Sequence, residues 1–212
     1  MTRLTPRSRA IFVLVALLAI ASSTGRTQTP KAPAPADPPP ANPKDHWHIF
    51  LVNGVDPLKL GNLSALGRRL QEQGFSHTYY GELQALPRFR DTIRQVHRDD
   101  PKARFALIGF SLGANRVCDL AQSLQADGIS IEAAVFLSGN HWLGGLPTER
   151  PQNIERVVNL LASGALRNTG WREWAENYQL RGAWHFGTPS SAEAVQLVTE
   201  ALNRDLASTK AP

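Results

Sequence analysis

The sequence predicts an α/β fold, a three-layer sandwich in which a mostly parallel sheet of about six strands carries helices on both faces. Three observations predict it. Short apolar runs alternate along the chain with stretches of helical periodicity, a pattern that builds parallel sheets. One such run, Arg104 to Phe110, passes without a break into Gly109-Phe110-Ser111-Leu112-Gly113 and then into the helical spacing of Val117, Leu120, Ala121 and Leu124. The connections between elements are short, which leaves no room for a large cap over the sheet.

The chain opens differently from the way it continues. Residues 1–10 hold three arginines and no acid, Ile11 to Ala21 is unbroken apolar, and Ala21, Ser22 and Ser23 are small. This is the order of a secretory signal peptide, expected over 1–23. The apolar run is short for a membrane span, which needs about 20 residues. An uncleaved N-terminal anchor is the alternative and would be the only membrane attachment. From Pro30 to Pro43, seven of fourteen residues are proline. Such a stretch makes no helix or sheet ladder and runs as an extended spacer. A linker is therefore expected over 24–44 and a folded domain over 45–212.

Charge excludes one class of partner. The net charge is +5, with 23 basic against 18 acidic residues, and Arg3, Arg7 and Arg9 account for most of the excess. The rest has no basic patch interleaved with aromatics, so nucleic acid is not an expected partner. The single cysteine, Cys118, cannot form an internal disulfide and reads as a core residue.

The domain's elements follow in order. His46 to Val52 reads as a buried strand ended by Asn53-Gly54. Leu63, Leu66 and Leu70 mark a helix to Gln73 with Gly74 as its cap. Phe75 to Tyr80 is a strand, and Pro87 to Asp99 a helix closed by Asp100-Pro101. The strand at 104–110 and its helix to Gln125 end at Asp127-Gly128. Ile129 to Leu137 is a strand. Ile154 to Ala162 fits helix or strand, with Val157-Val158 and Leu160-Leu161 favouring strand. Leu180 to Phe186 is expected as the last strand. Ser190 and Glu193 are expected to form a capping box for a helix from Ala192 to about Leu206. Right-handed crossovers then give the strand order 2-1-3-4-5-6, and ligands in such sheets bind at the carboxyl ends of the strands.

The pentad carries the chemistry. A serine at the apex of a strand–turn–helix needs small residues two before and two after it, and it stands at a helix N-terminus that favours developing negative charge. A hydroxyl is a poor nucleophile near neutral pH, so an imidazole must take its proton. There are six histidines. His46 and His48 enter the first strand and belong at the opposite end of the sheet. His77 lies in a strand and His97 on a helix, while His141 follows the fourth strand. His185 follows the last.

With these residues in place, the chain from about 46 to 206 resembles the α/β-hydrolase superfamily, and Trp184-His185-Phe186-Gly187-Thr188-Pro189 is similar to its histidine loop. The resemblance implies Ser111 as nucleophile and His185 as general base. It implies an oxyanion hole made by the backbone N–H groups of Leu112 and of Val55, in the loop Asn53-Gly54-Val55, where Asn53 replaces a usual histidine. The acid departs from the pattern, because Ser163-Gly164 stands where Asp or Glu is expected. Asn140, after the preceding strand, is no acid either. Either Glu173 or Glu176 folds back to His185, with Glu173 preferred, or a carbonyl or neutral side chain orients the ring. Trp142, Trp171 and Trp174 fall in loops where they would wall an acyl pocket or pack as satellites. The resemblance implies a serine hydrolase of a small-molecule or lipid-like ester or thioester, with no cofactor or metal, and the segment 1–23 adds the expectation of export. A catalytically inactive binding protein of this fold, or a peptidase or acyltransferase on the same site, are the alternatives.

Overall fold

The computed structural model describes residues 42–56, 58–139, 149–163 and 172–208. After a 3-10 turn at Pro43–His46, the elements are β1 (Trp47–Val52), α1 (Leu63–Glu72), β2 (His77–Gly81), α2 (Leu86–Asp99), β3 (Arg104–Phe110), α3 (Leu112–Gln125), β4 (Ile131–Leu137), β5 (Ile154–Leu161), β6 (Glu176–Gln179) and α4 (Ala192–Ser208). The six strands form one sheet in the order 2-1-3-4-5-6. Every pairing is parallel, with Leu51 opposite Ile108 and Ile108 opposite Val135 at the centre.

Successive residues of a strand face opposite sides of a sheet, and here both sides are covered. Ile49 and Leu51 join Ala106, Ile108 and Phe110 in a core closed by Leu63, Leu66 and Leu70 of α1 and by Ala194, Val198 and Leu202 of α4. Phe50 and Val52 join Phe105 and Leu107 in a second core closed by Phe89 and Ile93 of α2 and by Val117, Leu120 and Leu124 of α3. This is why β1 reads as an apolar run interrupted only by His48: all six of its residues are buried. Cys118 is buried in the second core, and desolvation pushes its thiol up to about 12.

Capping follows local chemistry. At the end of α1, Gly74 has φ +95°, its N–H donates to Gln71 O at 2.9 Å, and the Phe75 N–H donates to Leu70 O at 3.0 Å. Buried Phe75 and Leu70 complete this left-handed cap.

Two expectations are corrected near the C-terminus. The last strand is Glu176–Gln179, and Leu180–Phe186 is not a strand. Edge strand β6 needs few apolar residues, so its polar sequence carries no strand signal. The apolar stretch after it is broken by Gly182 at φ +70° and contributes Leu180 and Ala183 to the core as loop residues. The capping box does not form either. A 3-10 turn over His185–Ser190 takes up Ser190, so the helix cap falls one residue later. Ser191 Oγ accepts from Ala194 N–H at 3.1 Å, while Glu193 accepts from Arg181 N–H at 3.2 Å. Ser191→Ala is expected to lower unfolding free energy by about 1 kcal/mol and Ser190→Ala to leave it nearly unchanged, as read by urea denaturation.

Candidate active site

The strand-to-helix turn holds Ser111 at φ 55° and ψ −123°, a conformation ordinarily left to glycine. Two glycines allow it. A Cβ at Gly109 would stand 2.5 Å from Ala114 Cα, and one at Gly113 would overlap Val52 O. The helix therefore passes against the strands with no room for a side chain at either place. Ser111 is 3% exposed, and Leu112 opens α3 directly behind it.

His185 arrives from the other side of the sheet's carboxyl end, as the first residue of the 3-10 turn. Its Nε2 lies 3.1 Å from Ser111 Oγ, a hydrogen bond across 74 residues. Its ring packs 5.1 Å from Phe110 and 5.0 Å from Phe186. Buried Thr188, in the same turn, has its hydroxyl 2.7 Å from the Ser138 hydroxyl at the end of β4, which ties the turn to the sheet. Burial lowers the pKa of His185 below its ordinary value, and the charge of Asp56 acts in the opposite direction.

The loop after β1 crosses the start of α3. A Cβ at Gly54 would lie 2.7 Å from Leu112 N and 3.1 Å from Gly113 N, so Gly54 rests on the free N–H groups of the helix. This brings Asn53-Gly54-Val55 beside the Leu112 N–H. Asn53 is buried and anchors the loop: its N–H donates to Gly81 O at 2.8 Å and its side-chain amide to Glu82 at 3.1 Å. Glu82 also accepts from the Tyr80 hydroxyl at 2.7 Å. A cleft of about 370 Å³ opens beside the loop, lined by Val55, Asp56, Lys59, Glu82 and Leu83.

Glu173, expected as the acid, does not reach His185. Among the described residues, the buried Nδ1 of His185 has no hydrogen-bond partner. Glu173 is exposed and borders a recess with Arg150, Glu155 and Arg156. Glu176 bonds Arg156 at 2.7 Å, which holds its carboxyl below the usual range, and also bonds Arg204. The reason is direction: Glu176 is the first residue of a parallel strand, so both glutamates sit near the amino end of β6, and His185 follows its carboxyl end. His46 and His48 do lie at the amino end of β1, with His48 stacked on His77 at 4.6 Å. Trp174 packs edge-on against Phe136, alongside Arg172, as part of the second core. Asn140, His141, Trp142, Gly164 and Trp171, with the segment 1–41, lie outside the described residues.

Asp56 is a buried carboxylate near the site that sequence reasoning did not single out. It is buried and accepts the N–H groups of Leu60 at 2.9 Å and Gly61 at 2.8 Å. Its signal in sequence is a carboxylate directly after Gly54-Val55, away from the later strands where the resemblance places the acid.

Comparison with known proteins agrees with this architecture. Human thioesterase 2 aligns over 79% of this chain and 99% of its own, with a TM-score of 0.54 at 10% identity. The chain has the α/β-hydrolase fold. A putative hydrolase of the alpha/beta superfamily from Xanthomonas campestris pv. campestris also matches, over 76% of this chain and 98% of its own, with a TM-score of 0.45 at 18% identity. In sequence, the chain is 28% identical over 123 residues to a dimodular nonribosomal peptide synthase of Bacillus subtilis (strain 168). That match takes in 55% of this chain and spans about 5% of the length of the synthase. No protein-family model matches the chain. Within the α/β-hydrolase fold, the serine, the histidine and the Gly54 loop all stand at the carboxyl ends of the strands, where such sheets bind ligands.

Proposed function

We propose that this chain is an exported serine hydrolase that cleaves a carboxylic ester or thioester through an acyl-enzyme on Ser111. The observation that carries the reading is the 3.1 Å contact between Ser111 Oγ and His185 Nε2, at a helix start whose Leu112 N–H is met by the Gly54 loop. Nε2 takes the hydroxyl proton as Oγ bonds to the carbonyl carbon. The backbone N–H groups of Leu112 and Val55 hold the resulting oxyanion. The intermediate collapses, and Nε2 returns the proton to the leaving alcohol or thiol. Water then loses a proton to Nε2, its oxygen attacks the acyl carbon, the acid leaves, and Ser111 regains its proton. The likeness in fold to human thioesterase 2 is in keeping with a thioester or ester substrate.

The partnerless Nδ1 favours a second reading, an inactive protein of this fold that only binds. A fluorophosphonate probe separates the two. Folded protein labelled at Ser111 supports the hydrolase, and absence of labelling leaves the binding protein. Comparing short esters, thioesters and peptides as substrates tests the peptidase and acyltransferase alternatives. Export rests on the segment 1–23 and is tested by N-terminal sequencing of protein recovered outside the cytoplasm.

Asp56 provides a pH test. The base works only as neutral imidazole, so activity falls as pH drops through its pKa. Asp56 holds that pKa up against burial. Asp56→Asn is therefore expected to move the acid limb of kcat/KM to lower pH and to lower the plateau, because the imidazolium of the transition state loses a stabilising charge.

A further inference from the structure

Among the described residues, five large hydrophobic side chains are exposed: Val55 at 57%, Leu58 at 76%, Leu60 at 50%, Trp184 at 58% and Tyr80 at 40%. The Tyr80 hydroxyl is bonded to Glu82. The other four all belong to the two loops that meet at Ser111. Val55 follows the glycine that rests on the Leu112 N–H, and Trp184 immediately precedes His185. Scattered exposed leucines mean little, but exposure concentrated at a nucleophile marks a binding surface.

The two loops share one floor. A Cβ at Gly61, next to Leu60, would stand 2.5 Å from Phe110 Cε1. Phe110 lies 5.1 Å from the His185 ring and 6.1 Å from Phe186, and Phe186 packs edge-on to Trp184 at 5.3 Å. The leucines are held out by a fixed loop. Asp56 accepts the N–H groups of both Leu60 and Gly61, the Lys59 N–H donates to Asp56 O at 3.0 Å, and the Asn62 N–H donates to Lys59 O at 3.2 Å. Lys59 at φ 53° and Asn62 at φ 48° are both in the left-handed region, so the loop keeps its shape at some cost.

We infer that the substrate's acyl group is an unbranched aliphatic chain of medium to long length, which lies on an open shelf formed by Val55, Leu58, Leu60 and Trp184 while its carbonyl sits at Ser111. This deepens the ester or thioester reading and rests on it. Four side chains are too few for a stable protein interface, which takes about 800 Å² from each partner. They suit an alkyl chain, and they flank in sequence the two residues, Gly54 and His185, that meet the Ser111 turn.

The test uses the variant Leu58→Asn/Leu60→Asn, which keeps both backbone N–H groups and touches no catalytic atom. With p-nitrophenyl esters, the native protein is expected to prefer decanoyl over acetyl by roughly tenfold or more in kcat/KM. The double variant should lose most of that preference while acetyl hydrolysis stays within about twofold. Methyl-labelled leucine NMR reads the shelf without turnover: the Leu58 and Leu60 methyl signals should move on adding decanoate and stay still on adding acetate. If decanoate leaves them unmoved while Ser111 still reacts with a fluorophosphonate, the shelf is overturned and the hydrolase stands. If Ser111 is inert while the methyl signals move, the hydrolase falls and the alkyl site stands. Equal losses on both esters, or methyl signals that follow protein concentration alone, would also overturn the proposal, the latter by assigning the patch to a second copy of the chain.

Discussion

Ser111→Ala is expected to lower kcat for ester hydrolysis by about 10⁴- to 10⁶-fold and to abolish fluorophosphonate labelling, with the fold unchanged. At 1.36 kcal/mol per factor of ten, that is roughly 5 to 8 kcal/mol of transition-state stabilisation. The expected effect is large because the proposed mechanism uses Ser111 and His185 as a unit through one 3.1 Å contact, so the imidazole has no proton to move once the hydroxyl is gone. The fold should survive because Ala has the same Cβ as Ser at φ 55°, and because the close approach is set by Gly109 and Gly113. Circular dichroism and thermal unfolding supply the control. A variant that kept more than a few per cent of the rate would remove Ser111 from the chemistry.

Gly54→Ala should cost about 10²- to 10³-fold in kcat, the loss associated with one oxyanion donor. The cause is space. The new methyl carbon would stand 2.7 Å from Leu112 N, 2.7 Å from Phe110 O and 3.1 Å from Gly113 N. All three are main-chain atoms at the end of β3 and the start of α3, so no side chain can rotate away. Either the loop retreats and carries Val55 with it, or Leu112 moves. Both would separate the two N–H groups that the proposed mechanism aims at one oxygen. Overpacking of this kind also lowers stability by about 1–3 kcal/mol. A Gly54→Ala protein with native kcat would rule out the proposed hole.

Much of this was legible in the sequence, for identifiable reasons. The central strands β1, β3 and β4 are buried on both faces, so His46 to Val52, Arg104 to Phe110 and Ile129 to Leu137 carry no clear alternation and read as largely apolar runs. The glycines of the elbow were legible because only their absent side chains let α3 pass so close to the strands. β6 was not legible. A four-residue edge strand spelled Glu-Asn-Tyr-Gln has no pattern to detect, and placing the strand late put Glu173 on the wrong side of the sheet. Asp56 was hidden for another reason. Its carboxylate is satisfied by local N–H groups, so in sequence it looks like any turn aspartate. What makes it matter is a histidine about 130 positions away, and only the folded chain brings the two within electrostatic range.

The bare Nδ1 of His185 bears on tautomerism. A neutral imidazole carries one proton on one of two nitrogens, and the hydrogen bond made by the second nitrogen normally decides which. Here no described side chain or carbonyl claims the Nδ1 position. With the proton on Nδ1 the ring accepts from the Ser111 hydroxyl, and with the proton on Nε2 it donates to that oxygen. In the proposed cycle Nε2 returns each proton that it takes, so the ring starts and ends with its own proton on Nδ1.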